Sequence, residues 1–157
     1  MVQTTEDQIT KLSDYGFTLL TTIRGDHSID RDQLHRFDQS GGHGITYAFL
    51  NPCGIITKVG LGGIGKAKGI TRIIRWASWF KKDDQTKDPQ HHAWAREENP
   101  PGTQIWARAT PCPKEDEVVF TMLLKPSTIG KNRRSFTQEL QYEIKKIPSG
   151  FRVAPLN

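Results

Sequence analysis

Apolar and polar residues follow recognisable periods along much of the chain. Two runs rich in strand-forming residues, Ile45–Leu50 and Ile55–Val59, are joined by the Pro- and Gly-containing turn Asn51–Gly54, which predicts a β-hairpin. A helical period follows over Ile70–Phe80, since its apolar residues recur every three to four positions: Ile73, Ile74, Ala77 and Phe80. This strand–turn–strand–helix unit is the best-defined local prediction.

Other segments carry shorter signals. Residues 5–15 predict a helix that Thr5 caps and Gly16 ends, and Phe17–Ile23 predicts a strand. Ser135 and Gln138 form a capping-box pattern at the start of a predicted C-terminal helix. The remaining predictions are helices at Ser28–Phe37, Gln90–Glu98 and Ser135–Ile147, and strands at Gln104–Ala109 and Val118–Leu124.

This order of elements predicts the α+β class.

Composition narrows the class of protein. The 157 residues suit a single domain with a real core. No stretch approaches ~20 consecutive apolar residues and the first residues lack a signal-peptide pattern, so we expect a cytoplasmic protein that does not enter a membrane. Two cysteines, Cys53 and Cys112, supply neither a disulfide framework nor a four-ligand zinc site.

The net charge of +5 is distributed unevenly. Residues 39–82 carry seven basic side chains and no acidic one, and residues 118–157 carry seven basic and two acidic ones. Such a long segment without a carboxylate favours a surface that binds a polyanion over an ordinary solvated face.

A glycine-rich segment between the hairpin and the helix nearly matches a phosphate-binding P-loop. Gly60–Lys66 follows a strand and precedes a helix, but Ala67 replaces the Ser or Thr that holds Mg²⁺. A nucleotide-binding protein therefore stays a minor alternative. The milder prediction is that Lys66 and Lys68 contact phosphate groups of any kind.

The order of these elements resembles that of the GIY-YIG endonucleases from about residue 44 to the end. In that family a hairpin carries Gly-Ile-Tyr and Tyr-Ile-Gly, a helix with a catalytic Arg follows, and a later helix carries a metal-binding Glu. Here Gly44 and Ile45-Thr46-Tyr47 resemble the first motif, and Lys58-Val59-Gly60 resembles the second. Lys58 stands where the family has the second Tyr, which leaves the base role to Tyr47 or to another group.

The resemblance implies that residues 44–157 form a core with a small, mainly antiparallel, three-stranded central sheet flanked by helices. Residues 1–43 would then be an N-terminal addition with a helix and a strand, packed on this core.

The resemblance also implies a Mg²⁺-dependent endonuclease that hydrolyses DNA phosphodiester bonds, with restriction-like sequence specificity as one form. It assigns catalysis to Tyr47, Lys58, Arg72 and Glu139, with Glu139 as the metal ligand. In place of Arg72 and Glu139, Arg75 and Glu143 stay open as alternatives. Because charge develops on the phosphate oxygens, cationic side chains near the scissile phosphate suit this reaction.

Double-stranded DNA is the expected partner. The basic residues assigned to DNA or phosphate contact are Lys66, Lys68, Arg75, Lys131, Arg133 and Arg134. A homodimer would allow both strands to be cut, because one active site cuts one strand at a time. The main alternative is a basic nucleic-acid-binding protein of the same fold that does not cut.

Overall fold

The computed structural model describes residues 4–37, 44–63, 69–80 and 95–127. Their main elements in chain order are α1 (Thr5–Asp14), β1 (Thr18–Thr22), α2 (Arg31–His35), β2 (Gly44–Leu50), β3 (Ile56–Gly62), α3 (Ile70–Phe80), β4 (Gln104–Thr110) and α4 (Pro113–Leu124). Residues 95–98 are also helical. The predicted helix Ser135–Ile147 lies outside the described residues. Within the described ranges, no helix has the length and apolarity that crossing a membrane requires.

The strands form one antiparallel sheet in the order β1-β4-β2-β3. The α+β class and the antiparallel sheet are therefore confirmed, but the prediction of three strands was wrong by one. The fourth strand is β1, which pairs with β4 and so joins the N-terminal residues to the central sheet. A break in register between Leu19 and Thr21 interrupts this pairing, and local patterns do not reveal which strand an irregular strand will join.

The predicted hairpin is confirmed, and Asn51 shapes its turn. The side-chain Oδ1 of Asn51 accepts hydrogen bonds from the backbone N–H groups of Cys53 and Ile55. Gly54 takes a φ of 83°, a conformation that side chains disfavour. β3 runs to Gly62, three residues further than the pattern predicted.

Two apolar layers cover the two faces of the sheet. Ile45, Tyr47 and Phe49 of β2 face α3 and join its buried residues Ile73, Trp76, Ala77 and Phe80. Ala48 and Leu50 point to the opposite face, where they join buried residues from the termini of the described chain: Leu12, Phe17, Phe120 and Leu124. The alternation along β2 therefore decides which residues lie on the α3 side.

The predicted strand Val118–Leu124 is instead the second half of the helix α4. Its apolar residues fit a strand as well as a buried helix, and length and capping decide between them. Pro113 occupies the first turn of α4, and Glu115 and Asp116 follow it there, which are helix-start signals. The helix begins earlier than the apolar run, so the run taken alone suggested the wrong element.

The helix starts in the N-terminal part differ by a few residues from the prediction. Thr4, and not Thr5, caps α1 through a capping box with Asp7. Asp30 caps α2 by accepting from the N–H groups of Asp32 and Gln33. α2 is therefore shorter than the predicted Ser28–Phe37.

One guanidinium joins three elements on the face opposite to α3. Arg108 of β4 donates a 2.8 Å hydrogen bond to the carbonyl oxygen of Tyr15, which follows α1. Its Nε lies 3.5 Å from the Asp116 carboxylate of α4, and its charge lies 4.9 Å from the ring centroid of Phe120. Both α1 and the N-terminal turn of α4 are therefore fixed to the same strand.

Candidate active site

Tyr47 lies at the centre of the face that α3 covers. Its side chain is only 1% exposed. The Phe49 ring stacks on it with centroids 5.3 Å apart, and the Trp76 ring meets Phe49 edge-on at 5.1 Å. This aromatic packing fixes the plane of the phenol and leaves its oxygen as the polar end of an apolar cluster.

Glycines in β3 and before α3 make room for this arrangement. Gly60 lies directly opposite Tyr47, and a Cβ on Gly60 would collide with the phenol ring. A Cβ on Gly62 would lie 2.5 Å from the carbonyl oxygen of Gly69 and 2.8 Å from Cβ of Arg72. The missing side chains thus allow the start of α3 to approach the sheet, with Arg72 in its first turn.

Two side chains of α3 act on the phenol oxygen. The indole Nε1 of Trp76 donates a 2.8 Å hydrogen bond to Oη of Tyr47. The Arg72 guanidinium also hydrogen-bonds the phenol and adds its positive charge. Because Trp76 and Arg72 lie four residues apart, one helix face presents both donors.

The environment keeps the phenol protonated. Burial raises the pKa of Tyr47 above its usual value of 10.0, because the charged phenolate would lose its hydration. The charge of Arg72 and the hydrogen bonds from Trp76 and Arg72 act in the opposite direction, and the charge of Glu117 adds to the rise. Since burial prevails, Tyr47 is neutral at physiological pH.

Glu117 of α4 is the acidic group near this site that the sequence reasoning missed. Its charge reaches the Tyr47 phenol, and its side chain is half-buried. On α4 it precedes the buried Thr121 and Leu124 by four and seven residues, so it lies on the helix face directed to the sheet. The helix-start signal at Pro113 could have found it, because a helix there places Glu117 after the third strand of the predicted core.

The structure separates the two arginines of α3. Arg72 is half-buried and contacts Tyr47, whereas Arg75 is exposed. Lys58 of β3 lies opposite Phe49, on the same face as Gly60 and one same-face position away from it. Lys58 is half-buried. Tyr47, Lys58 and Arg72 therefore lie on the α3 side of the sheet, and the charge of Glu117 acts on the phenol from a helix that covers the opposite face.

Several predicted site residues lie outside the described residues. They comprise the loop lysines, the C-terminal basic residues and both candidate carboxylates of the last helix: Lys66, Lys68, Lys131, Arg133, Arg134, Glu139 and Glu143. Their assignment to DNA contact, or to metal binding, stays a prediction.

The described residues offer Mg²⁺ one carboxylate near the phenol. In the ranges that the structure describes, no group of three or more His, Cys, Asp and Glu side chains surrounds a common point. Mg²⁺ is often held by one or two carboxylates together with substrate phosphate oxygens. The Glu117 carboxylate fits that kind of site, in which the substrate completes the ligand set.

Comparisons of the chain with protein-family models, curated proteins and solved structures find no match.

Proposed function

We propose that this chain is a Mg²⁺-dependent DNA endonuclease that hydrolyses phosphodiester bonds. The observation that carries the proposal is that the charges of Arg72 and Glu117, on helices that cover opposite faces of the sheet, both act on the buried Tyr47 phenol. A cation for the phosphate and a carboxylate for the metal are two of the parts that metal-assisted hydrolysis requires. A cytoplasmic location is part of this proposal.

The topology of the described core supports the resemblance to the GIY-YIG endonucleases. β2 and β3 form the hairpin that carries the two motifs, α3 carries Arg72, and β4 pairs with β2 before α4 begins. Tyr47 and Gly60 are the two residues that match the family motifs literally, and they lie directly opposite each other.

Arg72 is suited to stabilise the charge that develops on the phosphate during cleavage. It lies in the first turn of α3, the end at which the aligned peptide dipoles of a helix are positive. That turn contains no acidic residue. An anion that approaches the start of α3 would therefore meet both the helix terminus and the guanidinium.

Glu117 is our candidate metal ligand in the described part of the chain, and Glu139 or Glu143 is the candidate outside it. When bound, Mg²⁺ would supply positive charge against the negative charge that develops during phosphodiester hydrolysis. The carboxylate of Glu117 would hold the ion, and Arg72 would bind the phosphate.

A plasmid-cutting assay with and without Mg²⁺ tests the proposal. We expect the wild-type chain to convert supercoiled DNA to nicked or linear products only when Mg²⁺ is present. Glu117→Gln should abolish cutting and leave DNA binding, measured in EDTA, unchanged. Arg72→Gln should slow cutting by roughly 10²–10³-fold, as the loss of one preorganised donor does in other enzymes.

Matched controls remove the same charges at residues outside the proposed site. Glu115→Gln on α4 and Arg31→Gln at the exposed start of α2 should both cut at near wild-type rates. Full activity of Glu117→Gln together with loss of activity in Glu139→Gln would move the metal ligand to the C-terminal residues. If the wild-type chain leaves long DNA of mixed sequence intact in Mg²⁺, the proposal that it is an endonuclease is refuted.

Burial of Tyr47 favours a second candidate, a DNA-binding protein that does not cut. A phenol that is 1% exposed and kept neutral is poorly placed to take a proton from water. The same basic residues would then bind DNA, with an affinity that falls steeply as salt rises. Salt-sensitive binding without cutting, over a panel of duplex substrates, would support this candidate.

The nucleotide-binding alternative receives less support from the fold. A P-loop follows a strand of a parallel sheet, whereas β3 pairs in antiparallel fashion with β2. A titration with ATP and GTP tests it directly, and we expect no saturable binding at micromolar concentrations.

A further inference from the structure

We propose that Tyr47 and Trp76 are positioning residues for Arg72, with the phenol acting as a neutral hydrogen-bond acceptor and not as the proton acceptor for water. This inference rests on the proposed nuclease function and assigns roles within the same site. It separates the tyrosine of the first motif from the chemical step.

The chemistry of the donors sets the direction of these hydrogen bonds. An indole N–H and a guanidinium can only donate. The Tyr47 oxygen therefore accepts from both Trp76 and Arg72, and its own proton points away from these two residues. In this arrangement the phenol receives hydrogen bonds from α3 and thereby holds Arg72 in one orientation.

Packing makes the phenol a rigid support. Trp76 is 1% exposed and Phe49 is fully buried; the Phe49 ring stacks on the Tyr47 ring, and the Trp76 indole donates to the phenol oxygen from α3. On β3, Gly60 leaves no side chain between the ring and the strand. The phenol oxygen therefore has little freedom to move, and a guanidinium bonded to it shares that restriction.

The charged groups around the phenol agree with a neutral acceptor. α3 contributes Arg72, α4 contributes Glu117, β3 contributes Lys58 one same-face position from Gly60, and β4 contributes the uncharged Ala107 directly opposite. Burial is the largest influence on the phenol, and it disfavours the phenolate. A base must also reach the water that it activates, and a side chain that is 1% exposed offers little access to it.

The first test compares pH–rate profiles of DNA cutting. Tyr47→Phe keeps the ring and removes the oxygen, so we expect the rate to fall about tenfold while both limbs of the profile keep their midpoints. If Tyr47 were the base, the rate would fall by roughly 10²–10⁴-fold and one limb would disappear. That second result would overturn the proposal.

The second test asks whether the effect acts through Arg72. Tyr47→Phe should cause almost no further loss when Arg72→Gln is already present, because the residue that it positions is gone. In the Arg75→Gln background the full tenfold loss should remain. Trp76→Phe should behave like Tyr47→Phe in both backgrounds, with a smaller loss. Additive losses in the Arg72→Gln background would contradict positioning.

A third readout does not need activity. The chain has three tyrosines, Tyr15, Tyr47 and Tyr142. In an ultraviolet titration at 295 nm, the folded wild type and Tyr47→Phe should release the same number of phenol protons up to the onset of unfolding. One additional phenol ionising in the wild type near pH 9 would overturn the neutral acceptor.

Nuclear magnetic resonance of the Arg72 side chain completes the separation from the proposed function. Tyr47→Phe should shift and broaden the Arg72 guanidinium resonances and leave those of Arg75 unchanged. If the wild type does not cut DNA, the nuclease proposal fails, while this shift and the phenol titration still decide whether Tyr47 holds Arg72. If Tyr47→Phe is too unstable to study, the wild-type titration and Trp76→Phe decide the same question.

Discussion

The Tyr47 ring occupies the space that a side chain at Gly60 would need. The two residues lie directly opposite each other across the β2–β3 pair, and a Cβ on Gly60 would stand 2.3 Å from Cζ and 2.4 Å from Oη of the phenol. The Tyr47 side chain therefore lies over β3 where a side chain at position 60 would be. This contact explains physically why Tyr47 in β2 requires a glycine at position 60 of β3.

Substitution of this glycine should be destabilising. We expect Gly60→Ala to lower the free energy of unfolding by about 1–3 kcal/mol, because the added methyl forces the buried ring out of its packing. Urea unfolding followed by circular dichroism measures the change. Gly25→Ala is the matched control, since no atom lies within 4 Å of its added Cβ. Equal effects of the two substitutions would argue against the contact.

The raised pKa of Tyr47 predicts a loss of stability in alkali. Folding favours the protonated phenol, so its contribution is complete below the unfolded pKa near 10.0 and is lost as the pH rises from there through the folded pKa. The free energy of unfolding should therefore fall more steeply above pH 10 in the wild type than in Tyr47→Phe. Urea midpoints at pH 8, 10 and 11 for both chains provide the comparison, and parallel curves would contradict the prediction.

Arg108 should contribute more to stability than a surface arginine. Arg108→Met removes a hydrogen bond to the Tyr15 carbonyl, the Asp116 contact and the charge over Phe120, and we expect a loss of about 1–3 kcal/mol. Arg24→Met removes an exposed ion pair with Asp30 and should change the free energy of unfolding by about 0–1 kcal/mol. A loss for Arg24→Met that equals the loss for Arg108→Met would show that the contacts of Arg108 add nothing.

A buried polar pair fixes the segment before β4. Thr57 donates to Oδ1 of Asn99, whose Nδ2 donates 2.9 Å to the carbonyl oxygen of Ala95, and Thr57 and Asn99 are fully buried. Thr57→Val leaves the Asn99 oxygen buried without this donor, and we expect a loss of about 1–3 kcal/mol in thermal or urea unfolding. The same substitution at the exposed Thr22 should be nearly neutral. A neutral result at Thr57 would mean that another donor replaces it.

Local signals were sufficient for the hairpin and for α3. Asn51 and Gly54 mark the turn, and the spacing of Ile73, Ala77 and Phe80 marks the buried helix face, so each element carries its own signal. Such elements are recognisable because neighbouring residues decide them. In the structure the hairpin strands pair with each other, and α3 covers them.

Elements that depend on distant contacts were harder to predict. The apolar run that begins at Val118 is compatible with a strand, and its helical form follows from a start at Pro113 and from packing against the sheet. This error also concealed Glu117. The predicted strand began one residue after it, so the prediction did not place its carboxylate on any element, whereas the observed helix includes it on the face directed to the sheet. The fourth strand was missed for a similar reason, since pairing of β1 with β4 joins residues far apart in sequence.

The candidate site was predictable only in part. Tyr47 and Arg72 followed from the order of motifs, but the hydrogen bond from Trp76 did not, because it depends on how closely α3 approaches the sheet. The glycines at positions 60 and 62 set that approach through the absence of side chains. A sequence shows the glycine but not the neighbour that uses its space.

The pairing of β1 with β4 bears on how the chain tolerates truncation. β4 is an inner strand only because β1 covers one of its edges. Removing residues 4–37 would leave backbone N–H and C=O groups along one edge of β4 without their β1 partners. The side chains of Ile105 and Trp106, which are buried in the full chain, belong to this strand. Such an open apolar edge attracts other strands, so we expect a shortened chain to aggregate instead of giving a smaller folded domain. The N-terminal residues therefore keep the sheet from polymerising.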